Sequence, residues 1–280
     1  MIDVNQIDWN EAWKKPHGEE EKKSGFISCG RRWTDPERCR RFSDAMKEDN
    51  WAGSYSRIQA MDITPTSRIL DVGAGPGSLA IPLAKKVAHV TAVEPSGGML
   101  TCLKENIAEA GIENITIVPK KWEDVDIRSD LNPPYDIVFA SYSLGFPDLK
   151  EGLLKMDAVS SKYVYIFWFA DMRSPWQRNY REIWKDLYGV PAPSGTKVNI
   201  VFNLLNQIGI FANVEVTKEE SVHKYSTFDE AVFDQKVGLN LETEKQEKVL
   251  RKFLDKKIKI ENGKFVHREI SLRAKIWWEK

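Results

Sequence analysis

The chain has 280 residues, with 41 lysines and arginines against 41 aspartates and glutamates, a formal net charge of zero. That balance argues against a protein whose main task is gripping nucleic acid or an anionic membrane by bulk charge. At 42% hydrophobic and 29% charged residues the chain is too apolar for disorder, and its longest apolar run, Tyr163 to Ala170, falls far short of a membrane span.

In chain order, Met1-Ile2-Asp3-Val4-Asn5 lacks the basic start and apolar stretch of a signal peptide, so a cytoplasmic protein is expected. Residues 1–58 read as a polar and aromatic helical cap, broken at Pro16-His17-Gly18 and near Gly30. From Arg68 to Ala170 short β-branched runs alternate with helix-length segments, the rhythm of βαβ units. Arg68–Val72, His89–Val93, Ile115–Val118, Asp136–Ala140 and Tyr163–Ala170 are the expected strands. Gly98–Ala110 carries Met99, Leu103, Ile107 and Ala110 at helical spacing. Continuous apolar strands are buried on both faces, which calls for a parallel sheet. Beyond Ala170, Ser174-Pro175 and Pro191 to Gly195 frame a short aromatic helix, Val198–Gly209 reads as a returning helix, and Ala212–Val222 as a sixth strand. Thr243 and Gln246 form a capping-box pair ahead of a helix over 243–258, with an apolar stripe of Val249, Leu250, Phe253, Leu254 and Ile258. Ile270, Leu272, Ala274 and Ile276 alternate as an antiparallel strand would. The body of the protein is thus expected at 59–280, with insertions at about 171–197 and 223–264. Cys29, Cys39 and Cys102 are odd in number with no close pair, which argues against a disulfide framework or a metal site.

The most informative stretch is Ile69-Leu70-Asp71-Val72-Gly73-Ala74-Gly75-Pro76-Gly77, a buried strand running into a glycine-rich turn and then a helix from near Ser78. The backbone must turn sharply there and let a ligand approach without Cβ atoms in the way. Glu94 ends the next strand, 17 residues after Gly77, where a carboxylate can accept hydrogen bonds from both hydroxyls of a ribose. A dinucleotide fingerprint would read G-x-G-x-x-G and hold pyrophosphate at the helix start. Here the spacing is G-x-G-x-G, and Asp71, two places before the first glycine, would repel a pyrophosphate and welcome an ammonium group.

These motifs, in this order over about residues 60–170, resemble the class I (Rossmann-like) S-adenosylmethionine-dependent methyltransferases. The resemblance implies a three-layer α/β fold, with a seven-stranded, mostly parallel sheet and one antiparallel strand. It implies S-adenosylmethionine as cofactor, held by Asp71, Gly73, Ala74, Gly75 and Gly77 of the first motif. Glu94 and Pro95 of the second motif would take the ribose side, with Met99 flanking the adenine. Lys121-Trp122-Glu123-Asp124 follows the third strand, so Trp122 and Glu123 are expected at the adenine. Tyr135 to Ser141 resembles the fourth-strand motif, which brings Ser141 to the cofactor and the substrate. Pro82, inside the first helix but close to its start, is a mild departure.

Asn132-Pro133-Pro134-Tyr135 spells the motif of amino-group DNA methyltransferases, but it precedes the fourth strand and so lies at the opposite edge of the sheet; it reads as a turn. The five arginines between Arg31 and Arg41 are interleaved with Asp35 and Glu37, so a solvated or internally paired helix face is expected, with an anionic substrate as the other reading. Trp9, Trp13, Trp33 and Trp51 near the start, and Trp176, Tyr180, Trp184 and Tyr188 after the fifth strand, are candidates for an aromatic-walled pocket or for core anchors. Methyl transfer needs a general base only if the nucleophile enters protonated, and the candidates by position are His17, Tyr142 and Asp171. The expected activity is methyl transfer to a small-molecule acceptor, aromatic or anionic, with neither nucleic acid nor membrane as partner. The alternatives are an NAD(P)-dependent oxidoreductase and a non-catalytic methyltransferase-like binding module.

Overall fold

A computed structural model describes residues 7–14, 33–170, 178–192 and 197–280. Helices α1 (Trp9–Lys14), α2 (Pro36–Glu48) and α3 (Ala52–Gln59) precede the sheet. Asp35 caps α2 by accepting from the Glu37 amide, and Pro36 occupies the first turn, where no donor is needed. The alternating region follows as β1 (Arg68–Val72), α4 (Ala80–Ala84), β2 (His89–Val93), α5 (Gly97–Glu109), β3 (Ile115–Val118), β4 (Tyr135–Ser141), α6 (Leu149–Val159) and β5 (Ser160–Phe169). The later elements are α7 (Trp184–Tyr188), α8 (Lys197–Gln207), β6 (Asn213–Tyr225), α9 (Phe228–Gly238), α10 (Glu244–Lys257), β7 (Lys259–Glu261) and β8 (Lys264–Glu279). The capping box of Thr243 and Gln246 at the start of α10 is present in both directions.

The strands form one sheet in the order β3-β2-β1-β4-β5-β8-β6. β1 to β5 are mutually parallel, and β8 runs antiparallel between β5 and β6. The seven expected strands are therefore present, and short β7 adds an eighth by pairing with the start of β8. Alternate side chains enter two cores. Leu70, Val72, Val138, Ala140 and Ile166 meet Leu149, Leu153 and Met156 of α6 and Val201 and Leu204 of α8. Ile69, Val90, Ala92, Ile137 and Phe139 meet Ile58, Leu83 and Leu103 on the other side. Asp71 lies on this second face, because it shares the side of Ile69 in a period of two.

The chain leaves β1 toward β2 and β3, then returns to place β4 on the other side of β1, which makes a topological switch point at their carboxyl ends. Register aligns those ends: Val72 is level with both Val93 and Ala140. The next residues along, Gly73, Glu94 and Ser141, are thereby neighbours.

Three elements differ most from the sequence expectation. The helix after the glycine turn is only Ala80–Ala84, with turns ahead of it and Pro82 within its first residues, where the missing N–H is harmless. β6 and β8 are longer than alternation indicated, pairing from Asn213–Trp277 to Tyr225–Phe265. β5 ends at Phe169, opposite Arg273, so the rest of this two-stranded ladder projects beyond the carboxyl edge of the sheet. The charged, largely exposed course of β6 suits an edge strand and hides its periodicity. The segments between β5 and α8 and between β6 and β7 share a small core of Tyr180, Trp184, Leu187, Val232, Leu250 and Phe253.

Buried Asn106 of α5 ties the helices to the loop: its amide donates to the Pro76 carbonyl (2.9 Å) and to Ser43 Oγ of α2 (2.9 Å). Asn106→Leu strips both partners, so a loss of about 1–3 kcal/mol is expected in denaturant unfolding.

Candidate active site

The loop after β1 carries three left-handed glycines, with φ of 81° at Gly73, 59° at Gly75 and 92° at Gly77. They are glycines for different reasons. A Cβ at Gly73 would overlap the Ser143 side chain, and one at Gly77 would come within 2.7–2.8 Å of Leu103 and Ile81. A Cβ at Gly75 would meet nothing within 4 Å, so this is the face that a ligand can approach. The Gly73 and Ala74 amides donate to the Val93 carbonyl (2.8 and 3.0 Å), locking the loop to the end of β2, and the Ala74 side chain is turned into the core.

Two carboxylates flank this opening. Glu94 is only 6% exposed; Oε2 accepts from the Gly75 amide and Oε1 from the Ser96 amide, both at 2.8 Å. Burial pushes its carboxyl up, and the two amides pull it partly back. Each oxygen keeps a second lone pair for a hydroxyl. Asp71 is 1% exposed, and its Oδ2 has no hydrogen-bond partner among the described residues. Burial first, then the negative charge of Glu94, drive it well above the usual carboxylate range, while Arg57 draws it back. An orphaned carboxylate oxygen behind an open glycine is a fitting receptor for a cationic group.

The adenine side is bordered by the chain entering α5. Pro95 is exposed at the bend, and Ser96 caps α5 through the Met99 amide (3.3 Å) while its hydroxyl donates to the Trp33 carbonyl (2.7 Å). Met99 is buried with Cys39 and Cys102 against Trp33 and Phe42, so α2 is seated over this end of α5. Trp122 departs from expectation. Its indole donates to the Gly152 carbonyl (3.0 Å) and its ring lies in the core beneath α6, so it is an anchor; Glu123 beside it is half-buried.

At the end of β4, Ser141 Oγ accepts from Arg57 (2.7 Å) and the Ser143 hydroxyl donates to the Val72 carbonyl. Tyr142 between them has a left-handed φ of 56°, an uncommon state for an aromatic residue and of the kind found at functional sites. Its ring stacks on Phe169 (4.8 Å between centroids), with the Arg57 and Arg273 guanidinium carbons 5.4 and 4.8 Å from its centroid. Burial pushes the phenol up, against the pull of both arginines, so Tyr142 is a neutral hydrogen-bonding group and not a phenolate base. His17 and Asp171 lie outside the described residues. Arg57 and Arg273 were missed by sequence reasoning; the available signal was that Arg57 is the single basic residue of the short helix leading into β1.

The remaining sequence motifs fall away from this cluster. Asn132, just before β4, lines a polar concavity of about 480 Å³ with Arg68, His89 and Tyr135, at the amino ends of the strands. Arg40 pairs with Glu105 of α5 and Arg41 with Glu37, while Arg31 and Arg32 lie outside the described residues.

Gly75→Val places a β-branched residue in left-handed backbone, at a cost of about 1–2 kcal/mol, and fills the open face. Calorimetry is expected to show S-adenosylhomocysteine affinity lost by more than about a hundredfold in a folded protein; unchanged affinity would locate the ligand elsewhere. For Asp71, the folded carboxyl binds its proton more tightly than the unfolded one. Its contribution to stability therefore falls as pH rises from about 3.9 toward the folded value. Asp71→Asn is expected to remove that fall. It is also expected to abolish the proton release that accompanies S-adenosylhomocysteine binding below the folded value, as read by calorimetry in buffers of different ionisation enthalpy.

Residues 69–162 match the family model of the methyltransferase domain. A Haemophilus influenzae protein of uncharacterized function is 29% identical over 222 residues, covering 79% of this chain and 79% of that protein. A 23S rRNA (uracil(1939)-C(5))-methyltransferase of Klebsiella pneumoniae is 33% identical over 67 residues, covering 24% of this chain and 15% of that enzyme. A Bacillus halodurans crystal structure described as a methyltransferase shares the fold, with a TM-score of 0.54 at 16% identity over 80% of this chain and 96% of that one. No helix among the described residues is long and apolar enough to cross a membrane. Fold, glycine loop and domain match agree: residues 69–162 are a methyltransferase domain, set in a fold shared with solved methyltransferase structures.

Proposed function

We propose that this protein methylates a small-molecule acceptor at the carboxyl edge of its sheet. The observation that carries the reading is the open face of Gly75 between two buried carboxylates, one of them with an unpartnered oxygen. In this reading Glu94 takes the ribose hydroxyls, Pro95, Met99 and Glu123 border the adenine, and the loop amides border the methionyl chain. The zwitterionic head is divided between Asp71, for the ammonium, and Arg57, for the carboxylate. Arg57 donates to Ser141 Oγ, to the Gly53 carbonyl and to Ser54 Oγ, and it pairs with no carboxylate among the described residues. Burial lowers its proton affinity, with Arg273 adding to the effect, so an anion beside it would offset the cost of the buried charge.

When bound, S-adenosylmethionine supplies an electrophilic methyl carbon that an acceptor atom attacks in line, the carbon–sulfur bond breaking with its electron pair left on sulfur. The protein's share is positioning and exclusion of water. Tyr142, fixed by its amide to the Phe167 carbonyl (2.9 Å), is placed to orient the acceptor as a hydrogen-bonding phenol. A small acceptor is favoured because Trp33 lies across the Ser96 turn, and because α2 spends its basic residues Arg40 and Lys47 on Glu105 and Glu109 of α5.

Thermal unfolding with S-adenosylhomocysteine, S-adenosylmethionine and NAD(H) in parallel tests the cofactor half. At a hundred times its dissociation constant a ligand adds about 2.7 kcal/mol, and stabilisation is expected with the two sulfur compounds alone. Stabilisation by NAD(H) alone supports the oxidoreductase, and none by any supports a non-catalytic module. The acceptor half is tested by transfer of labelled methyl groups in a cell extract, where label in RNA or protein, and not in the small-molecule fraction, overturns it.

A further inference from the structure

Beyond the cofactor, the inner face of β8 has an unusual property. His267, Glu269, Ser271 and Arg273 occupy alternate positions and so share one side of the strand. Each has a buried side-chain atom without a hydrogen-bond partner among the described residues: His267 Nδ1 and Glu269 Oε1, which face each other at 4.0 Å, Ser271 Oγ and Arg273 Nε. His267 is 3% and Glu269 7% exposed. Buried polar atoms in folded proteins are nearly all satisfied, so four in file on one strand call for a polar occupant. The file begins beside the methyl-transfer centre, since the Arg273 guanidinium carbon is 4.8 Å from the centroids of both Tyr142 and Phe169. It ends beneath the inserted helices, where the Tyr180 ring lies 6.3 Å from that of His267.

The charges along the file select its occupant. Arg273 Nε lies 3.2 Å from Glu219 Oε2, yet that half-exposed carboxylate makes no hydrogen bond with it. An ion pair with such a solvent-facing partner is weak and easily exchanged. The guanidinium, its carbon 4.8 Å from the centroids of two aromatic rings, carries a planar fork of donors suited to a planar anion. Two residues on, Ser271 offers a hydroxyl. Beyond it Glu269, with His223 Nε2 3.6 Å from Oε2, would repel a second negative charge.

We propose that this face of β8 lines the acceptor site and that the acceptor is a small monocarboxylic acid, its carboxylate on Arg273 and a polar group farther along reaching Ser271. The inference rests on the methyltransferase reading, and it separates Arg57, assigned to the cofactor, from Arg273, assigned to the acceptor.

The test uses the full-length protein saturated with S-adenosylhomocysteine and titrated calorimetrically with 4-hydroxybenzoate and 6-hydroxyhexanoate, each against its primary amide. At least one acid is expected to bind tenfold or more tightly than its amide. Arg273→Met is expected to erase that preference and Arg273→Lys to keep part of it, with cofactor affinity within twofold of the parent in both. Ser271→Ala, which removes an unpartnered hydroxyl, is expected to weaken acid binding several-fold without lowering the unfolding midpoint; a purely structural Ser271 would leave acid binding unchanged. Equal binding of acids and amides, no binding of either acid, or a preference that survives in Arg273→Met overturns the proposal. Failure of S-adenosylhomocysteine to bind the parent protein strikes the cofactor reading instead, whereas normal cofactor binding without acid preference strikes only the acceptor assignment.

Discussion

A parallel register in which Val72 stands level with both Val93 and Ala140 determines where the site can be. Three strands end together, and the chain must leave each in a different direction at the switch point. Gly73 turns at once because Ser143 occupies the space a side chain would need. Glu94 turns back toward the loop because the Gly75 amide is within hydrogen-bonding reach. A slip of one residue in either ladder would reverse the faces, sending Asp71 into the apolar core beneath α6 and Leu70 to the opposite face. The register is held by apolar burial on both faces, so the cores beneath α4 and α6 are what place the carboxylates.

The same constraint produces a site under electrostatic tension. Asp71 and Glu94 are both buried, and the charge of Glu94 adds to the cost of ionising Asp71. Glu94 is relieved by two backbone amides, and Asp71 has no such relief at Oδ2. On the other side of the cleft Arg57 is desolvated and faces the like charge of Arg273. An apolar residue at any of these places would fold more easily. A ligand with an ammonium, a carboxylate and ribose hydroxyls resolves these tensions together, which ties the free energy of binding to the groups that most penalise the free protein.

The fold was legible where local pattern and tertiary role coincide. The apolar runs of β1, β2 and β4, the glycine turn and the capping box of α10 are local features, and each appears within a few residues of its expected place. Trp122 shows the opposite case. Its position after β3 is local information, but the direction of its ring is decided by the Gly152 carbonyl and the apolar floor beneath α6, which no spacing reveals. β6 was expected to stop at Val222 and runs on to Tyr225, because its last residues are held by pairing with the distant start of β8, from His223–His267 to Tyr225–Phe265. Arg57 and Arg273 were hidden for the same reason. One comes to Ser141 across 84 positions and the other to Phe169 across a sheet ladder.

That difference explains why cofactor and acceptor are known to such unequal depth. The matched segment, residues 69–162, contains Asp71, the three glycines, Glu94 and Ser141, so it holds most of one side of the cleft on continuous βαβ units. The other side is assembled from Arg57 before that segment and from Phe169, Ser271 and Arg273 after it, brought together only once β8 has inserted between β5 and β6. A recurring sequence pattern can specify the first side because its parts are neighbours in the chain. The second depends on a ladder that extends past the edge of the sheet and on the helices that cover it, which leaves it free to differ between proteins sharing the same cofactor. In the proposed reading, acceptor choice accordingly belongs to β8 and the residues facing it, and the glycine loop alone carries no information about it.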